Sequence, residues 1–489
     1  MEASGPSSWS RVVVYPSLLL NVLLLAHLLV PMSWLSAARD GGGSSHQLSW
    51  ALQAAMEAEA AATTDCSGHG RVYLDSVAGE DGRPGCECNG CFHGPDCSRR
   101  TLNCTADAES ADQMFMEPYW MRHAAESAVV VSGWHRLSYF ATDGEYQSVE
   151  LERHIRRLHR AVGNAVADDK HIVFGTGSMK LINALVHALS PDDGTISSPG
   201  MVVATAPYYA PYRTQTMMFD GREYKWEGTT EAWAANASSS HPSNSSTFIE
   251  FVTSPNNPDF LLRKPVLGGR VIADHAYYWP HFTPIPSPAD EDVMLFSASK
   301  LSGHAGSRFG WALVRDEKVA LRAKEYIEES SLGESRDTQL RMLSIIKVIL
   351  ANLHGKEDMF AFAHEEMSTR WTRFNTVVSG SRRISVQKIS PQFCTYLNRT
   401  REPTPAFAWV KCERKQDQDC YDALLKANII SWSGVDGEAS ARYTRVSLVK
   451  ARDDFDVLLE RLTDFVNDEK KQSAPTSSIR LPSDQLIQQ

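Results

Sequence analysis

Apolar residues recur at three- and four-residue spacing over residues 149–166, with charged residues between them, a period that predicts an amphipathic helix laid on a core. Residues 171–174, His-Ile-Val-Phe, form a short apolar run and predict a buried strand. The same kind of run returns at 201–205, 248–253, 270–273, 293–296 and 311–314, separated by helical or Pro-rich stretches. Strands alternating with helices predict an α/β fold around a mainly parallel sheet. Residues 316–375 read as helical, and further strands at 407–411 and 443–448 with helices between them predict a smaller α+β domain. The pattern therefore divides the chain into a large domain over 107–375, a small C-terminal domain over 376–470 and a polar tail over 471–489.

Composition narrows the class. Among 489 residues, 43% are hydrophobic and 22% charged, and 49 basic against 59 acidic side chains give a net charge of −10. That balance excludes collagen-like, coiled-coil and disordered classes and argues against a nucleic-acid partner, which would require a concentrated basic face. The nine cysteines are uneven, because six lie between Cys66 and Cys104 and only Cys394, Cys412 and Cys420 follow. The segment 65–106 is dense in Gly, Pro and Cys and poor in aliphatics, so crosslinks rather than a core must hold it. A zinc site using His69 or His93 is the structural rival. An odd total leaves at least one thiol unpaired.

Residues 12–35 contain no Asp, Glu, Lys or Arg. The whole run suits a spanning helix, its apolar centre suits a cleaved signal, and residues 1–38 are read as one or the other. Arg11 ahead of the run places the N-terminus in the cytosol and the rest in the lumen. Residues 39–64, rich in Gly, Ser and Ala with an Ala/Glu stretch of helical character, read as a linker. Asn103, Asn236, Asn244 and Asn398 each fit the glycosylation pattern, and with the leader and the cysteine cluster they predict an oxidising, secretory compartment: the endoplasmic reticulum membrane with a lumenal catalytic domain, or the vacuole or exterior after cleavage.

Ligands of α/β sheets gather at the carboxyl ends of strands, so the residues just past each predicted strand carry the chemistry. Gly175-Thr176-Gly177-Ser178-Met179-Lys180 leads from a strand into a helix over 181–189, a turn suited to an anion, although its spacing is not that of a Walker loop. Ser297-Ala298-Ser299-Lys300 ends another strand and is followed by Gly303-His304-Ala305-Gly306-Ser307-Arg308. A desolvated Lys300 has a lowered pKa and a free amine for Schiff-base chemistry, and Arg308 offers a fork for a phosphate. The S-x-x-K pattern of penicillin-binding enzymes is also present, without its companion motifs. Asp274 ends the 270–273 strand, with Tyr277 three residues on, and Asn256 sits in the turn Thr253-Ser254-Pro255-Asn256-Asn257-Pro258. Taken singly, Asp274 reads as a cap and Asn256 as a turn residue.

Taken in chain order, the four elements resemble the fold-type I enzymes that use pyridoxal 5'-phosphate. The long motifs at 297–314, at 252–258 and at Tyr277-Tyr278-Trp279-Pro280-His281-Phe282-Thr283-Pro284 resemble the plant alliinase and tryptophan aminotransferase-related family over about residues 50–470. Segment 65–106 resembles the epidermal-growth-factor-like (EGF-like) domain of alliinases. The resemblance implies that Lys300 is the Schiff-base lysine, that Asp274 keeps the pyridine nitrogen protonated, and that Asn256 and Tyr277 bind the ring hydroxyl. It also implies that Tyr209 stacks on the ring, ahead of Tyr208, and that Thr176, Gly177, Ser178, Met179, Ser297 and Arg308 hold the phosphate. Tyr139 would reach the phosphate of a neighbouring subunit in a homodimer, and Arg445 would clamp the substrate carboxylate, assisted by Gly133 and Trp134. The implied bridges are Cys66 with Cys86, Cys88 with Cys97, Cys91 with Cys104, and Cys412 with Cys420, leaving Cys394 free. No metal is implied.

Both activities of that family begin with removal of the substrate α-proton. The reading drawn from the resemblance is an aminotransferase that converts an L-amino acid to a 2-oxo acid with a 2-oxo acid acceptor, a tryptophan-like substrate being one candidate. The alternatives are a C–S lyase that cleaves S-alkyl-L-cysteine sulfoxides and, outside enzymes, a lumenal binding protein.

Overall fold

The computed structural model describes residues 49–75, 82–191, 199–219, 222–236 and 247–473. The apolar leader at 12–35, the glycosylation candidate Asn244, the side chain of Asn236 and the tail beyond 473 lie outside the described residues. Among the described residues no helix is long and apolar enough to cross a membrane. The Ala/Glu stretch forms the helix Trp50–Ala62, which buries none of its side chains.

The cysteine module is built of two-stranded pieces, with Gly70–Val72 antiparallel to Cys86–Cys88 and Phe92–His93 antiparallel to Arg99–Arg100. Its bridges are Cys66–Cys86, Cys88–Cys97 and Cys91–Cys104, so no thiol there remains for a metal. Cys412 pairs with Cys420 in the small domain, and Cys394 is free and buried. Asn103 and Asn398 are exposed.

The large domain carries a seven-stranded sheet: β1 (His171–Gly175), β2 (Gly200–Ala204), β3 (Tyr224–Thr229), β4 (Phe248–Thr253), β5 (Arg270–Asp274), β6 (Val293–Ser297) and β7 (Gly310–Val314). Their order is β1-β7-β6-β5-β4-β2-β3, and β7 alone runs against its neighbours. β3 is a strand that the apolar pattern does not reveal, because Lys225, Glu227 and Gly228 interrupt it at the sheet edge. The central strands β4 and β6 are buried at every position, as two-sided burial of a parallel sheet requires.

The 149–166 helix is shorter than its pattern. α1 (Val149–Val162) starts on Ser148, whose hydroxyl accepts from the Leu151 N–H, and ends where Gly163 adopts a left-handed φ of 72°. The apolar positions beyond it serve a bridge to Ala289 instead. α2 (Gly177–Leu189) starts four residues before the expected 181, since the Gly-Ser turn is already helical. The helical 316–375 region resolves into α3 (Glu317–Ser331), α4 (Arg336–Asn352) and α5 (Met359–Val378), each begun by an Asp or Ser side chain that caps its first turn.

The small domain has an antiparallel sheet of β8 (Ile384–Val386), β9 (Phe407–Cys412), β10 (Trp432–Ser433) and β11 (Tyr443–Ser447), ordered β8-β9-β11-β10, and closes on α6 (Arg452–Ser473). One apolar cluster, from Phe115 through Trp279, Trp311 and Phe360 to Phe407 and Leu462, joins the face of the large sheet to the small domain. Burial on this scale, at about 25 cal/mol per Å2 of apolar surface, fixes the two domains side by side, with the carboxyl ends of β4, β5 and β6 facing β11.

Candidate active site

A cavity of about 780 Å3 lies between the strand ends and the small domain, within the range that holds a cofactor and a small substrate. Its lining includes Ser178, Tyr209, Tyr212, Asp274, Tyr277, Lys300, Asn257, Trp432 and Arg445.

Lys300 stands in the short helix Ala298–Leu301, whose first turn is capped by Ser297 accepting from the Ser299 N–H. Its Nζ donates to the Ala111 carbonyl at 2.7 Å and lies 5.6 Å from the Tyr277 ring centre. Burial, with the Arg445 and Arg308 charges adding to it, lowers the amine from 10.5 to about 8, against a pull upward from Asp112 and Asp274. About a tenth is therefore a free amine at pH 7, the form that attacks a carbonyl, against well under a thousandth for an ordinary lysine.

Asp274, at the end of β5, accepts from the Tyr212 hydroxyl at 2.7 Å and from the Ala276 N–H at 2.9 Å. Burial raises its carboxyl despite these bonds. Both direct donors are neutral, and among the described residues no salt bridge reaches it, so the cavity floor presents a buried acid without a cation at bonding distance. A protonated ring nitrogen of a bound cofactor would supply one. Tyr212, stacked on Phe251 at 4.1 Å and bonded to Thr253, holds this acid in place.

Arg445 on β11 is buried and aims at the same space. Its guanidinium donates to Asn257 Oδ1 at 2.9 Å and to the Glu109 carbonyl at 2.6 Å, lies 4.2 Å from the Phe407 ring centre, and keeps a buried Nε without a partner. The Tyr277 hydroxyl is likewise buried and unpartnered. Two orphaned donors on one cavity are the mark of a site built to receive polar ligand atoms.

The anion-binding corner fits as well. Thr176 makes no side-chain cap bond to α2, so the first N–H groups of that helix are uncapped on the side of Ser178. Gly177 has a φ of 68°, and a Cβ there would fall 2.6 Å from the Arg308 guanidinium, so only glycine lets Arg308 lie against the turn. The residues present thus match a phosphate, a protonated pyridine and an amine-reactive carbonyl, the three features of pyridoxal phosphate.

Of the expected residues, Ser178, Tyr209, Asp274, Tyr277, Lys300 and Arg445 line the cavity. Tyr209 donates to Met179 Sδ at 3.5 Å, whereas Tyr208 is turned into the core against Trp226. Thr176, Gly177, Met179, Ser297 and Arg308 lie behind or beside the lining.

Asn256 is a correction. Its amide is buried and donates to the Pro207 carbonyl and to Asp259, both at 2.8 Å, and the next residue, Asn257, faces the cavity. Neighbouring residues of an extended turn point to opposite sides, and a motif with two consecutive Asn does not say which one faces inward. We expect Asn257→Ala to raise the KM for the amino acid about ten- to hundredfold with kcat less affected, because a bond to a buried cation is lost. Asn256→Ala should instead lower thermal stability by about 1–3 kcal/mol. Steady-state kinetics and thermal unfolding of both variants separate the two roles.

Gly133, Trp134 and Tyr139 do not line the cavity of their own chain. They lie on an open segment away from the cavity, with Trp134 76% and Tyr139 67% exposed. Sequence reading also missed Tyr212, which lacks a motif of its own, and Glu334. The Glu334 carboxyl is buried at the start of α4, shares a hydrogen bond with Thr176, and is pushed up to about 7 by burial, so near neutral pH it divides about evenly between its charged and neutral forms beside the anion corner.

Residues 106–466 match the family described as Allinase, and residues 49–104 match the Alliinase EGF-like domain. Tryptophan aminotransferase-related protein 4 of Arabidopsis thaliana is 43% identical over 464 residues, covering 94% of this chain and 97% of that protein. An alliin lyase of Allium cepa var. aggregatum is 45% identical over 434 residues, covering 87% of this chain and 96% of the lyase. Among solved structures, a double mutant of Thermus thermophilus aspartate aminotransferase has a TM-score of 0.52 at 14% identity, over 74% of this chain and 92% of that one, a likeness of fold alone.

Proposed function

The chain belongs to the alliinase family, and from that premise we propose that it is a pyridoxal-phosphate-dependent aminotransferase that converts a neutral L-amino acid to its 2-oxo acid. The convergence of Lys300, Asp274 and Arg445 on one cavity carries this reading. When bound, the cofactor supplies an electron sink conjugated to the substrate α-carbon. Lys300 Nζ, with its lowered pKa, takes the α-proton and returns a proton to the reacting system; Asp274, as the buried anion, favours a positive ring nitrogen; Arg445 and Asn257 orient the substrate carboxylate. The rest of the lining, Pro211, Ile430 and Trp432 with the acids Asp107 and Glu109 at the rim, suits a neutral side chain and disfavours a second carboxylate.

A C–S lyase is the second reading, favoured by the alliin lyase that is 45% identical across both domains. Incubation with L-tryptophan and pyruvate, and in parallel with S-allyl-L-cysteine sulfoxide alone, separates the two. We expect the 2-oxo acid of tryptophan in the first; pyruvate released in the second assigns the lyase instead.

We further propose a homodimer in which Tyr139 reaches the partner's anion corner. The exposed Val130, Val131, Trp134, Leu137 and Tyr139 support it, since so many large apolar groups on one segment call for a cover. The bridged EGF-like module suggests a secretory-pathway protein.

A further inference from the structure

We propose that the disulfide-bridged module is a positioning element of the substrate site, holding a strap over residues 106–113 whose backbone fixes Arg445 and Lys300. The inference rests on the cavity being the substrate site.

The strap starts two residues after Cys104, the end of the last bridge. Ala106–Asp107 pairs with Ile429–Ile430, and Ala108 exchanges backbone bonds with Ile430 and Ser447, at 2.8 Å each. Farther on, the Glu109 carbonyl accepts from Arg445, the Ala111 carbonyl accepts from Lys300, and Gln113 donates to the Lys300 carbonyl. Asp107, Glu109, Ser110 and Ala111 form one wall of the cavity. With Glu109 on one guanidinium donor and Asn257 on another, the unpartnered Nε of Arg445 is held in the site.

Such a strap does not order itself. Fixing a residue's backbone costs about as much conformational entropy as one backbone bond returns, or more. Its ends must be held from outside, and the module holds the first end. On the module side, His69 and the Asn89 amide both meet Asp453 Oδ2, at 3.0 and 2.6 Å, and the Gly90 N–H meets Asp454 at 3.2 Å. Arg100 pairs with Glu460, and Arg461 donates to the Cys104 carbonyl at 3.1 Å, all on α6. On the opposite side, Arg71 and Tyr73 converge on Glu117 at 3.0 and 2.6 Å. His69 stacks on Phe92 at 3.8 Å, and Phe92 packs on the main core. These clasps lie outside the cavity lining, and the strap that follows Cys104 leads from them to its wall.

The test uses the cofactor-loaded full chain with the double substitution Asp453→Ala and Asp454→Ala. Hydrogen exchange is read at the Ala106 and Ala108 amides, and kcat and KM are read for L-tryptophan with pyruvate or, if that pair is inert, for S-allyl-L-cysteine sulfoxide. Faster exchange in module and strap is expected, with KM raised about tenfold, kcat within about twofold and the visible cofactor band unchanged. Glu117→Gln, which loosens the opposite clasp, should give the same split in smaller measure and serves if the double variant does not fold. An unchanged KM in a variant whose module exchanges faster overturns the proposal, as does unchanged exchange in both variants. A wild-type chain that holds no cofactor, or that turns over neither substrate, instead overturns the functional reading on which the proposal rests.

Discussion

Lys300→Ala is expected to abolish turnover, by at least about four orders of magnitude, together with the borohydride-sensitive visible absorbance expected of the cofactor-loaded wild-type chain. Among the described residues the side chain is the only amine lining the cavity, so no neighbour there substitutes for it. The substitution removes a desolvated cation and a single bond to the Ala111 carbonyl, so the fold is expected to survive, and normal circular dichroism and thermal unfolding separate lost chemistry from lost structure. The pH dependence has a defined sign. Because the amine is lowered from 10.5 to about 8, the free-amine fraction, and with it the rate at which the apo-protein takes up pyridoxal phosphate, rises as pH increases towards 8 and levels off above it. Stopped-flow absorbance between pH 6 and pH 10 reads this directly; a rate still climbing steeply at the upper end would mean an ordinary lysine.

Asp274→Asn should lower kcat/KM by about two to four orders of magnitude while the cofactor remains bound, because a buried cation that loses its carboxylate loses about 3–5 kcal/mol. Asparagine keeps the shape but can accept from only one of the two donors that Asp274 now satisfies, Tyr212 and Ala276. A stability loss of about 1–3 kcal/mol should accompany the kinetic one. The two readouts divide the roles: Asp274→Asn retains cofactor but turns over slowly, whereas Tyr212→Phe, which removes only the supporting bond, should cost far less in rate. Equal losses in both variants would make Asp274 a merely structural acid.

Much of the fold was legible because local chemistry set it. The strand over Phe248–Thr253 has the bounds its apolar run announces, and the others differ by a residue or two. The errors have physical sources. Gly163 stopped α1 by taking a left-handed conformation that its apolar successors do not betray. β3 escaped notice because an edge strand does not need an unbroken apolar run. Lys300, Asp274, Tyr277 and Arg445, which the structure brings to one cavity, could be singled out because each follows or sits on a strand in a long motif. Asn257 and Tyr212 were not, because which of two adjacent residues faces a cavity, and which phenol reaches a buried acid, depends on chain segments far apart in sequence.

The sequence by itself determined the family and the fold, since long continuous motifs carry both, and the resemblance to that family implied the pairing of eight cysteines and pointed to Lys300 at a strand end. Only the tertiary structure decided that Asn257 rather than Asn256 meets Arg445, that Asp274 rests on Tyr212, and that the cysteine module holds α6 while its trailing strap touches Lys300. Those contacts join residues tens to hundreds of positions apart, and they exist because burial of one shared core brings the strand ends, the small domain and the module to the same place.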